Sequence, residues 1–176
     1  MERTVDPKRS RTPGGIWAIL LGTVLCDAER YEEAITALDN ELAIRPDTAI
    51  VWEIRGKAYS RLNLAEAIAS YDKSLALDPD NAIVWTCRGD VHYALGRYGH
   101  FADALASYDK AIALSPGLAT AWNNRGLVLF ELGLYNEALD SYSRAIAIRS
   151  GKTETRTDRT NGVQKNDTKS RENLGN

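Results

Sequence analysis

Little in this chain is built for cross-linking or for covalent chemistry. Two cysteines, Cys26 and Cys87, in 176 residues make no disulfide framework and lack the spacing of a metal-binding pair. Neither sign of charge dominates: 22 Lys and Arg stand against 24 Asp and Glu, a net of -2. The balance is uneven, because residues 16–150 carry twelve cations against eighteen anions and the surplus cations lie at the two ends. A nucleic-acid binder concentrates positive charge on its folded part, so no nucleic-acid partner is expected. There is no Gly-rich phosphate loop, HExxH, paired CxxC or G-x-S-x-G, and no catalytic residue is assigned. Long apolar runs are also scarce. The single candidate, Ile16 to Leu25, follows basic residues and precedes Cys26, in the outline of a secretory or lipoprotein signal. It falls short of the roughly 20 residues that span a bilayer, and Leu25 stands where a lipoprotein signal has a small residue. Membrane association is therefore not expected. The alternative is a membrane-associated or exported assembly factor that uses Ile16–Cys26 as anchor or signal.

What recurs is tryptophan. Trp17, Trp52, Trp85 and Trp122 head four related segments, "IWAILLGTVLCDAERYEEAITALDNELAIRPD", "IVWEIRGKAYSRLNLAEAIASYDKSLALDPD", "IVWTCRGDVHYALGRYGHFADALASYDKAIALSPG" and "TAWNNRGLVLFELGLYNEALDSYSRAIAIRSG". We number repeat positions with tryptophan at 4 and glycine at 8. Position 8 is Gly22, Gly56, Gly89 and Gly126; position 20 is Ala34, Ala67, Ala104 and Ala138. Position 24 is Leu38, Tyr71, Tyr108 and Tyr142. A closing proline follows at Pro46, Pro79 and Pro116, with Ser150 in the fourth segment. In the first segment Trp17 sits one place early.

This pattern resembles the tetratricopeptide repeat, W-x2-L-G-x2-Y, then A-x3-F, then P, over roughly 34 residues. The resemblance implies an all-α, right-handed α-solenoid of four helix-turn-helix units over 15–150, with repeats at about 15–48, 49–81, 82–118 and 119–150. The physics agrees with the pattern. Glycine at position 8 and alanine at position 20 let paired helices approach closely, where a larger side chain would overpack the contact by about 1–3 kcal/mol. Large side chains at positions 4, 11 and 24 fill the gaps between helices. Proline ends the second helix, because it cannot donate to the helical ladder and biases the residue before it away from helix. Turns are expected near 27–30, 46–48, 62–64, 79–81, 96–100, 116–118 and 133–135.

Several departures stand out. Repeat two lacks one residue around Asn63 and Leu64. Repeat three has three extra within "LGRYGHFADAL", residues 95–105. Aligning "FADA" with "YEEA", "LAEA" and "YNEA" makes Phe101 the packing aromatic and Arg97, Tyr98 and Gly99 the insert, with His100 at its end. Gly96 and Gly99 are expected to supply turn freedom, and Tyr98 to project from the array's edge. Position 7 is Arg55, Arg88 and Arg125. The simplest reading packs the stem and wets the head; pairing with Asp72 and Asp109 is the other option.

In the family the first helix of each repeat lines a concave wall, exposing positions 2, 5, 6, 9, 12 and 13. Repeat one offers Ile16, Ile19, Leu20, Thr23, Cys26 and Asp27 there. From the later repeats the candidate partner-binding residues are Ile50, Glu53, Lys57, Thr86, Cys87, Asp90, Tyr93, Asn123, Asn124, Leu127 and Glu131; Ile54 and Ile83 are counted as exposed too. The resemblance and this mixed surface imply a non-catalytic interaction scaffold that takes a peptide or helix of a partner protein. Asn123 and Asn124 stand out, because asparagine is a poor helix former. Some family members clamp the C-terminal carboxylate of chaperones with lysines, asparagines and an arginine at positions 2, 5, 6 and 9. The same positions here read Ile19, Thr23, Ile54, Ile83 and Cys87 in one window, and Glu53, Lys57, Cys87, Thr120 and Asn124 in the next. No two cations converge to pair with a carboxylate, so chaperone-tail binding is not expected.

Cys87, Asp90, His92 and His100 form the one cluster with metal-site or catalytic composition. His92 lies five residues from Cys87, about 140° around a helix, so His92 is read as a packed core residue, and no metal or cofactor is expected. The ends, 1–14 and 151–176, read as disordered polar tails. With no polar capping helix after repeat four, Leu139, Ile146 and Ile148 are expected to stay partly exposed. That end would self-associate, receive a partner or belong to a longer array. Few cysteines fit a reducing, cytoplasmic setting.

Overall fold

The computed structural model describes residues 14–96 and 99–151. Among these residues are eight helices and no strand: α1 (Gly14–Asp27), α2 (Tyr31–Ile44), α3 (Ala49–Tyr59), α4 (Leu64–Leu77), α5 (Ala82–Ala94), α6 (Phe101–Leu114), α7 (Ala119–Glu131) and α8 (Tyr135–Arg149). The turns fall within two residues of their expected places. Each helix packs on the next, and α1 also meets α3 while α5 meets α7; contacts between neighbours alone define a solenoid. The expected tails lie outside the described residues, save Gly14, which begins α1, and Gly151. No helix among the described residues is long and apolar enough to cross a membrane. The run Ile16–Cys26 lies within α1, with Leu25 and Cys26 buried in a core shared with Leu38.

The pairing of helices follows from one missing methyl group per repeat. A Cβ on Gly56 or Gly89 would stand 2.6 Å from the Cε1 of Tyr71 or Tyr108, and one on Gly22 or Gly126 would stand 2.8 Å from Leu38 Cδ2 or Tyr142 Cε1. Hydrogen at position 8 thus admits the position-24 side chain. The position-20 alanines are buried throughout.

Two polar ties fix each junction between repeats. The indole Nε1 of Trp52, Trp85 and Trp122 donates to the carbonyl oxygens of Pro46, Pro79 and Pro116 at 2.8–2.9 Å. Trp17, displaced by one position, is exposed instead. The arginines do more than reach water. Arg55, Arg88 and Arg125 donate from Nε to Asp39, Asp72 and Asp109 of the preceding repeat, each at 2.7 Å. From Nη1 they donate to Ser70, Ser107 and Ser141 of their own repeat at 2.7–2.8 Å. The aspartates are about half exposed, so that arm is worth about 0–1 kcal/mol. The serines are fully buried, and a hydrogen bond to a charged donor there is worth about 1.5–3 kcal/mol. Each guanidinium therefore holds three helices together.

Repeat three absorbs its extra residues between α5 and α6. Gly99 takes φ +89°, a left-handed conformation that glycine adopts without a Cβ penalty. Gly96 serves another end than turn freedom: an added Cβ would stand 2.0 Å from Phe101 Cε1. Phe101 is the packing aromatic, with its ring 6.1 Å from that of Tyr93. Arg97 and Tyr98 lie outside the described residues.

Candidate functional site

The first helices of the repeats bring together most of the groove candidates, with corrections. Ile50, Lys57, Asp90, Leu127 and Glu131 are exposed; Glu53, Cys87, Tyr93, Asn123 and Asn124 are partly buried. Thr86 is buried, and its hydroxyl donates to the Ala82 carbonyl. Ile54 and Cys26, expected on the wall, are also buried. Cys26 and Ile54 share one core between repeats one and two, which a single helical wheel does not register.

The centre of the wall is Asp90. Its Oδ1 accepts from the Tyr108 hydroxyl at 2.7 Å and from Asn124 Nδ2 at 2.8 Å. Asn123 Nδ2 donates to Asn124 Oδ1 at 3.1 Å. Desolvation pushes the Asp90 carboxyl up, and those two donors hold it partly down. Asn124 in mid-helix is explained here by its bond to Asp90 of the preceding repeat, whereas Asn123 bonds within its own helix to Asn124. Towards the N-terminal end, Asn81 donates to Glu53 at 3.4 Å, and burial pushes the Glu53 carboxyl up. Lys57 donates to Asp27 at 3.0 Å, with both side chains largely exposed. The Cys87 thiol is pushed up to about 11 by burial, which leaves it protonated and a poor nucleophile near neutral pH.

The cluster of Cys87, Asp90, His92 and His100 does not assemble as a unit. Asp90 belongs to the groove network, whereas His92 is buried against the lengthened turn. His92 is packed, as expected, but it is not alone: its Nδ1 lies 3.3 Å from His100 Nδ1. Burial, then the Arg88 charge, lowers the His92 pKa. Its Nε2 has no hydrogen-bond partner among the described residues.

The two ends of the array expose apolar side chains whose counterparts in other repeats are covered more fully. Positions 3 and 10 are buried as Val51, Val84 and Ala121, and as Ala58, Val91 and Val128. Their counterparts in repeat one, Trp17 and Val24, are 66% and 62% exposed. At the other end Leu139 and Ile146 are 64% and 66% exposed, where their counterparts Ile35 and Leu42 in repeat one are buried. Ile148 is partly buried.

Residues 99–153 match the family described as tetratricopeptide repeat, and residues 60–96 match the family described as TPR repeat. Among solved structures the chain is similar to the crystal structure of MamA, with 24% identity and a TM-score of 0.70, covering 78% of this chain and 80% of that one. It is also similar to the first TPR of Spaghetti (RPAP3) bound to HSP90 peptide SRMEEVD, with 21% identity and a TM-score of 0.64, covering 68% of this chain and 94% of that one. These likenesses show the fold. No curated protein matches the chain.

Proposed function

Because the chain belongs to the tetratricopeptide-repeat family, we propose that it is a non-catalytic interaction scaffold whose concave wall holds an extended or helical segment of a partner protein. The observation that carries this reading is the Asp90 network on an open wall. A carboxylate offers about four acceptor sites, and Tyr108 and Asn124 fill two of them on one oxygen. The other oxygen remains for a backbone N–H or a basic side chain of the partner. Glu53 and Glu131 share this acidic wall, Lys57 is engaged by Asp27, and exposed Ile83 and Leu127 offer apolar anchors. An acidic tail such as SRMEEVD finds no converging cations at the matching positions. Affinity capture followed by titration of the identified partner tests the reading. Asn123→Ala and Asn124→Ala should each weaken binding about tenfold, the loss of one to two hydrogen bonds; unchanged binding by both removes this wall as the site.

The setting that fits is cytoplasmic. Cys26 is buried in a core with Leu38 of α2, so Ile16–Cys26 serves as packed structure in the uncleaved chain, a role that competes with the anchor reading.

The end faces support a second interaction, self-association, with α1 of one copy seated on α8 of another. Such a contact extends the stacking already present between repeats, and as a heterologous contact it propagates. The charged tie is missing from both faces in matching fashion. Leu21 occupies the arginine position in repeat one, and Ser143 occupies the aspartate position in repeat four. Joining the faces thus leaves neither member of that tie unpaired. Light scattering should show mass rising with concentration, and Val24→Glu or Ile146→Glu should abolish the rise. A strict monomer at high concentration refutes self-association without touching the groove.

A further inference from the structure

Repeat three departs from the other repeats at three places that meet in space. Position 11 is Leu25, Tyr59 and Leu129 elsewhere, and His92 here. Position 19 is Glu33, Glu66 and Glu137 elsewhere, and Asp103 here. His100 stands in the lengthened turn that this repeat alone possesses. His92 projects from α5, His100 precedes α6, and Asp103 lies in the first turn of α6. The two Nδ1 atoms are 3.3 Å apart. Asp103 Oδ2 is 3.9 Å from that of His92 and 3.7 Å from that of His100. Three atoms so spaced lie on a circle of radius about 2.1 Å, the bond length of zinc to imidazole nitrogen and carboxylate oxygen.

We propose that His92, His100 and Asp103 form a binding site for a divalent transition-metal ion, zinc foremost, with solvent completing the shell. Two imidazoles and one carboxylate favour zinc, cobalt, nickel or copper over magnesium or calcium, which take oxygen ligands. His92 is nine-tenths buried and locked by packing, while His100 and Asp103 are open to solvent, so one ligand is preformed and the ion enters from outside. Without an ion, a hydrogen bond between the facing Nδ1 atoms requires one ring to donate and the other to accept. An ion held at both Nδ1 atoms puts the remaining proton of each ring on Nε2. The shorter side chain of Asp103 also breaks with repeat two, where Glu66 turns to Arg55 at 3.7 Å. The site clips α5 to α6 across the one long turn within a repeat, and an ion that binds only the folded chain adds to its stability by mass action.

Zinc chloride titrated into the full chain by calorimetry, and cobalt chloride followed by visible absorption, test the assignment. One ion should bind per chain, and zinc should raise the melting temperature. Two variants should weaken binding at least tenfold and lose the zinc-dependent rise in melting temperature. One is His100→Ala, at a partly exposed turn; the other is His92→Leu, the residue that repeats one and four carry there. Circular dichroism is the control that both variants fold. Cys87→Ser should leave binding unchanged. No saturable one-to-one binding, binding that survives both histidine variants, or binding lost in Cys87→Ser each overturns the proposal.

Discussion

Replacing Gly89 with alanine should destabilise the array, although alanine is the better helix former. In an exposed helix the change gains about 1 kcal/mol from propensity. Here the new Cβ would stand 2.6, 2.8 and 2.9 Å from three carbons of the Tyr108 ring. That ring is wholly buried and cannot swing aside into solvent, so overpacking costs about 1–3 kcal/mol. Displacing it also strains the 2.7 Å hydroxyl bond to Asp90, a charge-assisted bond worth about 1.5–3 kcal/mol. If half of that is lost, the balance is a net loss of about 1–3 kcal/mol. Urea denaturation followed by circular dichroism reads it directly, and the melting temperature should fall by about 2–4 °C per kcal/mol for a chain of this size. The informative background is Tyr108→Leu, since leucine is what Gly22 already faces as Leu38. There the cost of Gly89→Ala should shrink by at least about 1 kcal/mol, because a branched aliphatic tip yields where a ring does not. A Gly89→Ala protein as stable as the parent, or more stable, refutes the close approach as the reason for glycine at position 8.

Arg88→Lys should cost about 1–2 kcal/mol, because an ammonium on a flexible stem cannot satisfy Asp72 and the buried Ser107 with one planar fork; equal urea midpoints for parent and variant contradict the three-helix tie. Trp85→Phe keeps the bulk and loses the bond to the Pro79 carbonyl, which lowers stability by about 0.5–1.5 kcal/mol, again read as a urea midpoint. Glu53 has a folded-state pKa raised by burial, so its ionisation opposes folding once the pH rises above the carboxyl's unfolded value of about 4.3. Glu53→Gln, which can still accept from Asn81, should be more stable than the parent at pH 7, and the advantage should vanish at about pH 3.5. A pH-independent difference would show that burial of this carboxylate is not the cause.

The sequence was most legible where one repeat could be laid over another. The glycine, alanine and position-24 side chains recur four times, and their mutual contact follows from helix pairing alone. The aspartate arm was visible as an option at Asp72 and Asp109, though not at Asp39. The serine arm was missed, although Ser70, Ser107 and Ser141 recur as plainly, because small residues beside position 24 read as mere packing. Burial of Ile54, Thr86 and Cys26 was missed for a different reason. A helical wheel assigns faces within one helix, whereas Ile54 and Cys26 meet in a core between two repeats. The proximity of His92 and His100 was hidden by the turn between them. Angular spacing on α5 compares His92 with Cys87 and Asp90, but it cannot register a chain that reverses and returns. The network around Asn124 was half legible: two asparagines in mid-helix demanded a reason, yet Asp90, 34 residues away, could not be named as that reason.

The ties between repeats also decide where the chain tolerates changes of length. Successive position-8 glycines are 34, 33 and 37 residues apart, from Gly22 to Gly56, Gly89 and Gly126. Yet the indole-to-proline and guanidinium-to-aspartate bonds are alike to within 0.1 Å at all three junctions. Residues gained or lost go into the turn inside a repeat, which none of these bonds crosses. The row of first helices therefore behaves as a ruler whose graduations are set at the junctions. Along these helices position 9 recurs at a constant interval, while the turns inside the repeats lengthen or shorten without moving it.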